Sequence, residues 1–300
     1  MTTTTQFIPV RRAVLGEGLS IDRALPSRQQ RTIGAWCFLD HLGPVRVHNG
    51  QGGIDVGPHP HIGLQTFTWM IQGHIWHQDS LGFKQLIAPK QINLMTSGAG
   101  IVHTEETPTD AADEWLHSVQ LWIALPEGHK DMAPDFVHYP SLPQFHHQGA
   151  DVVVLVGALL GHASPVSVHS PLLAVELYAE AATTVILPLQ PEFEYGVLVL
   201  TGVADVNEHA GLDKQTLLYL PLGGEAMTVA LGAGTRVFVV AGAPLAEPPL
   251  LWWNFVADDH EAVAQARADW AQGAPRFGPV DGYDGPRMTA PELVGRIKRA

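Results

Sequence analysis

A single cysteine, Cys37, stands among 300 residues, so no internal disulfide can form, and the chain suits a reducing compartment. Charge is sparse at 16% of residues, and basic side chains are the minority, 17 against 30 acidic, for a formal net charge of −13. That field repels a phosphate backbone and argues against direct nucleic-acid binding. Long apolar runs are missing too. The longest, residues 152–160, is interrupted by Gly157 and falls far short of the roughly 20 residues that cross a bilayer. The opening Met1-Thr-Thr-Thr-Thr-Gln-Phe-Ile-Pro-Val-Arg-Arg has no apolar stretch behind a basic one, so no secretory leader is expected. A cytoplasmic protein with neither membrane nor direct nucleic-acid contact is the expectation.

What is present is core material and turns. Hydrophobic residues are 46%, with 30 Gly and 23 Pro that follow no fixed period, a composition that favours a turn-rich, all-β fold. Residues 64–71 have the β-branched and aromatic content of a strand, Gln72-Gly73 reads as a turn, and residues 74–79 read as the hairpin partner. Short strands are further expected at 91–95, 101–106 and 115–125, and again at 151–156, 172–178, 183–187, 194–200, 202–206, 217–220, 227–230 and 236–241. A faint repeat at an offset of 129 aligns residues 65–73 with 194–202, which points to two barrels of similar build. Residues 258–272 predict one long helix with Val263, Ala266 and Trp270 on one face and Gly273 as its stop. Thr289-Ala-Pro-Glu292 is a capping box that predicts a short C-terminal helix.

The chemistry gathers in the first half. The chain holds 16 histidines; chance alone then supplies about one H-x-H pattern, so the motif needs context. In Gly53-Ile-Asp-Val-Gly-Pro-His59-Pro-His61, residues i and i+2 of an extended segment project to one face. Some forty residues on, Gly98-Ala-Gly-Ile-Val-His103-Thr-Glu105 presents His103 and Glu105 by the same rule. Three imidazoles and one carboxylate make a mixed N/O site suited to Fe, Mn, Ni, Cu or Zn. Four protein ligands on a six-coordinate ion leave two open positions, which is the pattern of a catalytic site. If the alternation continues beyond His61, Gln65, Phe67 and Trp69 point inward with the histidines and wall an apolar pocket.

Gly53-x5-His59-x-His61 and the later Gly100-x-x-His103 resemble the two motifs of the cupin barrels. More narrowly, Phe38-Leu-Asp-His-Leu-Gly-Pro44, Pro58-His-Pro-His-Ile-Gly63 and residues 98–106 resemble the pirin family, over about residues 10–277. The resemblance implies two consecutive cupin-type barrels, a bicupin, with a C-terminal helix. The boundaries expected are 1–140 for a metal-holding barrel, 141–250 for a metal-free one, and 251–300 for the helix and tail. It implies one metal per chain, iron(II) in most members, on His59, His61, His103 and Glu105. Family members include bacterial quercetin 2,3-dioxygenases, which act on a small aromatic substrate with dioxygen and release carbon monoxide. They also include an animal transcriptional co-regulator that works through protein partners. Dioxygenase and non-enzymatic regulator are therefore the two functional expectations, with Glu105 the candidate general base for the first. A metal-dependent sugar-phosphate isomerase ranks last, because Lys84 and Lys90 are the only lysines near the motifs. Two departures stand out: Gln65 replaces the Glu that cupins carry four residues after the second histidine, and Gly98 replaces a Pro.

Other candidates read better as structure. His74 and His77 fall on opposite faces of a strand, as solvated or hydrogen-bonded histidines. His146 and His147 sit in a polar loop, Cys37 in apolar company, and Asp40 and His41 on opposite faces. Gly98-x-Gly100 has neither the strand-to-helix context nor the lysine of a phosphate loop. At the repeat offset His59 and His61 fall on Pro188 and Gln190, so the second barrel is expected to carry no metal.

Overall fold

Strand-forming runs bounded by Gly and Pro become strands almost wherever the sequence places them. The computed structural model describes residues 4–16, 18–48, 51–109, 113–295, 297 and 299. The chain divides into two compact units, 1–12, 22–36 and 141–246 in one, and 13–21, 37–140 and 247–300 in the other. The extreme N-terminus thus joins the later barrel, where Gln6–Pro9 pairs with Thr216–Leu220, and the C-terminal segment joins the earlier one.

The earlier barrel has a seven-stranded and a four-stranded sheet. The larger runs Asp135–Tyr139, Ile92–Thr96, Leu64–Gln72, Glu114–Ala124, Trp36–Val47, Leu19–Leu25, Arg11–Leu15. The smaller runs Asp55–His61, Ile101–Glu106, Ile75–Asp79, Lys84–Ile87. In the later barrel, Gln6–Pro9, Thr216–Leu220, Glu194–Thr201, Thr235–Gly242, Leu172–Ala179, Ala150–Val156 and Gln144–His147 form the larger sheet. Thr183–Pro188, Ala226–Leu231, Ala204–Val206 and His209–Leu212 form the smaller. Apart from the edge strands Asp135–Tyr139 and Gln6–Pro9, the sequential order matches sheet by sheet, so Leu64–Gln72 and Glu194–Thr201, the faint repeat, hold the same position.

The structure corrects one pairing. Leu64–Gln72 and Ile75–Asp79 are not hairpin partners: they belong to different sheets. Gly73, at φ +82°, makes a corner between the sheets, and a Cβ there would lie 2.7 Å from the Trp115 carbonyl oxygen. A local turn signal fixes where the chain bends; it does not choose the strand on the far side.

The two interiors differ in chemistry. The later barrel is filled by an aliphatic cluster that includes Val185, Leu187, Val197, Met227, Val229 and Val239. Each such side chain contributes about 1.5–3 kcal/mol of burial free energy. The earlier barrel has a smaller apolar floor that includes Ile21, Leu42, Ile54, Val56, Met70, Ile75 and Ile87. Above that floor it buries polar groups instead, among them His59, His61, Thr68, His77, Asp79, His103 and Glu105.

The predicted helix forms over His260–Gln272. The Asp259 side chain caps it by accepting from the Ala262 N–H at 2.8 Å, and Gly273 ends it in the left-handed conformation. Its buried face, Val263, Ala266 and Trp270, packs with Ile62 and Val102, the neighbours of His61 and His103 along their strands. The short helix expected to open at Thr289–Glu292 is absent from the described residues: 289–294 have no regular structure and Gly295 bends at φ +73°, while 296, 298 and 300 lie outside the described set. Tertiary bonding accounts for the difference. Trp270 Nε1 donates to the Met288 carbonyl at 2.8 Å, Arg267 Nε to Pro291 at 2.7 Å, and His260 Nε2 to Ile297 at 3.1 Å. These bonds tie the tail's backbone to the long helix along a non-helical path.

Candidate metal centre

Strands Asp55–His61 and Ile101–Glu106 pair antiparallel with His103 directly opposite His59. The i, i+2 rule turns His61 to the same face, so three imidazoles meet inside the barrel. One nitrogen from each of His59, His61 and His103 lies within 4.8 Å of the other two, the one such cluster among the described residues. All three rings are buried, with centroids 4.3–5.0 Å apart.

Burial also sets their protonation. Desolvation lowers His59 to about 4 and holds His61 and His103 well below the ordinary histidine range. All three are therefore neutral at pH 7, the form that ligates a metal. The Nδ1–H of His59 donates to the Gly57 carbonyl at 2.9 Å, which leaves Nε2 as its lone-pair nitrogen. His61 Nε2 and His103 Nε2 face each other at 3.1 Å, so one of the two rings donates to the other in the metal-free protein. The donor set fits a borderline divalent transition metal.

Glu105 shares the face but not the cluster. It lies beyond a register shift after His103 and opposite His77 on the neighbouring strand. Its Oε1 accepts from Gln120 Nε2 at 3.3 Å, and the Thr68 hydroxyl offers its single proton to either the carboxyl or Gln120 Oε1, the latter 2.7 Å away. Burial pushes this carboxyl up to about 7 despite those two donors.

The expected pocket wall is corrected. Thr68 lies opposite Gln120, and Thr66 lies opposite Trp122 on one side and Met95 on the other. Trp122 makes an edge contact with His61 at 5.1 Å, so the even-numbered residues face the histidines. Gln65, Phe67 and Trp69 occupy the opposite face of that sheet, where Gln65 Nε2 donates to Thr96 Oγ1 at 3.0 Å. Alternation does not carry over from His61 because Gly63, at φ +67°, breaks the strand there and the chain changes sheet. The departure from the cupin pattern at Gln65 thus does not touch the centre. The inner walls are Phe38 and Trp122, stacked at 4.0 Å, together with Thr66, Met95 and Phe136.

Two residues lie at the centre that the sequence did not place there: Asp79, and His77, expected only as a solvated or hydrogen-bonded histidine. His77 stacks on Phe136 at 4.3 Å, its Nε2 lies 2.9 Å from Asp79 Oδ2, and its Nδ1 lies 3.4 Å from His103 Nδ1. His77-x-Asp79 has the same i, i+2 spacing as the ligand pairs, and that was the available signal. The remaining candidates are structural. His74 pairs with Glu114 at 2.9 Å, and the exposed His146 pairs with Asp151 at 3.2 Å. Cys37 is buried with its thiol pushed up to about 12, which leaves it unreactive. His41 is buried with its Nε2 2.8 Å from His117 Nε2.

Two barrels of one topology, with a histidine cluster in the earlier and an aliphatic interior in the later, define a bicupin with one such cluster among the described residues. Comparison gives the family. The Pirin model matches residues 18–123 and the Pirin C-terminal cupin domain model matches residues 174–278. A Pseudomonas aeruginosa protein provisionally named a quercetin 2,3-dioxygenase is 47% identical over 293 residues, 97% of this chain and 91% of its own. A pirin-like protein of Caulobacter vibrioides is 32% identical over 90% of this chain and 94% of its own. The crystal structure of a quercetin 2,3-dioxygenase from Acinetobacter baumannii superposes with a TM-score of 0.95 at 50% identity, covering 98% of this chain and 97% of that one. The chain belongs to the pirin family. No helix among the described residues is long and apolar enough to cross a membrane.

Proposed function

We propose that the protein is a metal-dependent dioxygenase that cleaves flavonols of the quercetin type, with one iron(II) per chain on His59, His61, His103 and Glu105. The observation that carries this reading is the convergence of three buried, neutral imidazoles in a chain half identical to a quercetin 2,3-dioxygenase of known structure. When bound, the metal supplies Lewis acidity that lowers the pKa of a substrate hydroxyl and brings the reactants together. The chain does the rest. Phe38, Trp122, Met95 and Phe136 offer apolar surface to a flat aromatic ring and exclude water. Glu105, held in place by Gln120 and Thr68, is the one carboxyl of the proposed ligand set and the group that would take the substrate's hydroxyl proton. In this reading the earlier barrel holds the metal, the later barrel carries none, and residues 251–300 are the helix and tail.

The test is oxygen uptake and carbon monoxide release with quercetin. Metal-loaded protein is expected to turn over and metal-free protein is not. Turnover that survives chelation overturns the reading. So does no turnover on any aromatic enol or diol tried, and the non-enzymatic regulator acting through a protein partner then takes its place.

A further inference from the structure

We propose that Asp79 and His77 form a positioning relay that fixes His103 in the tautomer a metal needs; the inference rests on the metal-site reading above. The chain of contacts is continuous and buried. Asp79 is anchored by a turn: its Oδ1 accepts from the Leu81 and Phe83 N–H groups at 2.9 and 3.1 Å. Its Oδ2 lies 2.9 Å from His77 Nε2 and accepts as a carboxylate oxygen, so a neutral His77 ring carries its proton on Nε2 and presents a bare Nδ1. That Nδ1 lies 3.4 Å from His103 Nδ1. One of two facing nitrogens must donate, and His77 has no proton left there, so His103 holds its own on Nδ1. His103 Nε2 is then bare and faces the cluster, 3.1 Å from His61 Nε2. Stacking of His77 on Phe136, with planes 13° apart, keeps its ring in the orientation the relay requires.

The carboxylate–imidazole–imidazole order gives His103 what the Gly57 carbonyl gives His59, with a buried negative charge at its far end. Such outer partners of metal ligands fix tautomer and raise ligand basicity. The strand register produces the arrangement, because His103 lies opposite both His59 and Asp79 on its two neighbouring strands.

Three variants separate the relay from packing. In Asp79→Asn the side-chain oxygen still serves Leu81 and Phe83, but the amide donates to His77 Nε2. The proton of His77 moves to Nδ1, and His103 is driven to the wrong tautomer. His77→Phe keeps the stack on Phe136 without an acceptor, whereas His77→Gln supplies an acceptor oxygen. The first measurement is the 15N shifts of the His103 ring in metal-free protein, and the second is cobalt(II) affinity with its visible spectrum. Wild type and His77→Gln are expected to show His103 protonated on Nδ1, with cobalt affinities within about threefold of each other. Asp79→Asn and His77→Phe should lose about 10–100-fold in affinity, with Asp79→Asn also showing the reversed tautomer. An unchanged His103 tautomer in Asp79→Asn overturns the relay, as does equal cobalt loss in His77→Gln and His77→Phe. Wild-type protein that binds no cobalt defeats the metal-site reading instead, while the 15N shifts still decide the relay.

Discussion

Glu105 can be tested as a ligand through the protons that metal binding releases. In the metal-free protein its carboxyl sits at about 7, whereas His59 sits at about 4 and His61 and His103 lie well below the ordinary range. Between about pH 5 and 7 the histidines are therefore already bare, and Glu105 is the one proposed ligand that must lose a proton. If it binds the metal, apparent affinity falls as pH falls, by roughly 50-fold from pH 7 to pH 5, about 1.36 kcal/mol per unit at the limiting slope. Calorimetry at about pH 5.5 in buffers of different ionisation enthalpy should then count about one proton released per metal bound. Glu105→Gln should bind more weakly at pH 7.5 and show a flat profile over the same range. A flat wild-type profile would remove Glu105 from the ligand set, leaving the three-histidine cluster and a free carboxyl held by Gln120 and Thr68. The same carboxyl has a signature in stability. Its folded pKa is raised, so the stability it contributes is present below about 4.5 and lost as pH rises through about 7. In metal-free protein, Glu105→Gln should therefore compare more favourably with wild type at pH 8 than at pH 4, by an amount on the order of 3 kcal/mol in urea titrations. Equal effects at both pH values would refute the raised pKa.

Metal content should be one ion per chain, and His59→Ala or His103→Ala should abolish it; two ions per chain, or full occupancy in the double variant, contradicts a single centre in the earlier barrel. On the acid side the three histidines govern stability. Their folded pKa values are lowered, so the stability they contribute is present above about 6.5 and is lost as pH falls. Urea midpoints of metal-free protein should drop between pH 6.5 and 4 despite the opposing gain from Glu105, and a midpoint that rises would count against burial of the cluster. Trp270 packs edge-on to Phe277 at 5.8 Å, lies under the Arg287 guanidinium and bonds the Met288 carbonyl. Trp270→Ala should cost about 3–5 kcal/mol of unfolding free energy, and a loss under 1 kcal/mol would mean the helix contributes little to the barrel it covers.

Local rules carried most of the secondary structure and the heart of the site. Period-2 patterning bounded by Gly and Pro located the strands, the capping residues located the helix, and i, i+2 spacing placed His59 with His61. These properties depend on neighbours within one uninterrupted element, which is why a single sequence displays them. The tertiary structure decided what crosses an interruption. The corner at Gly63 reset the alternation and turned Thr66 and Thr68, rather than Gln65, Phe67 and Trp69, toward the histidines. The corner at Gly73 sent Ile75–Asp79 beside Ile101–Glu106, and only that pairing brings His77 and Asp79 to His103. The capping box at Thr289 was overridden because Trp270, Arg267 and His260 bind the carbonyls of the tail. Strand pairing and carbonyl partners join residues far apart in the chain, and their energies depend on which faces meet, so local spacing could not determine them.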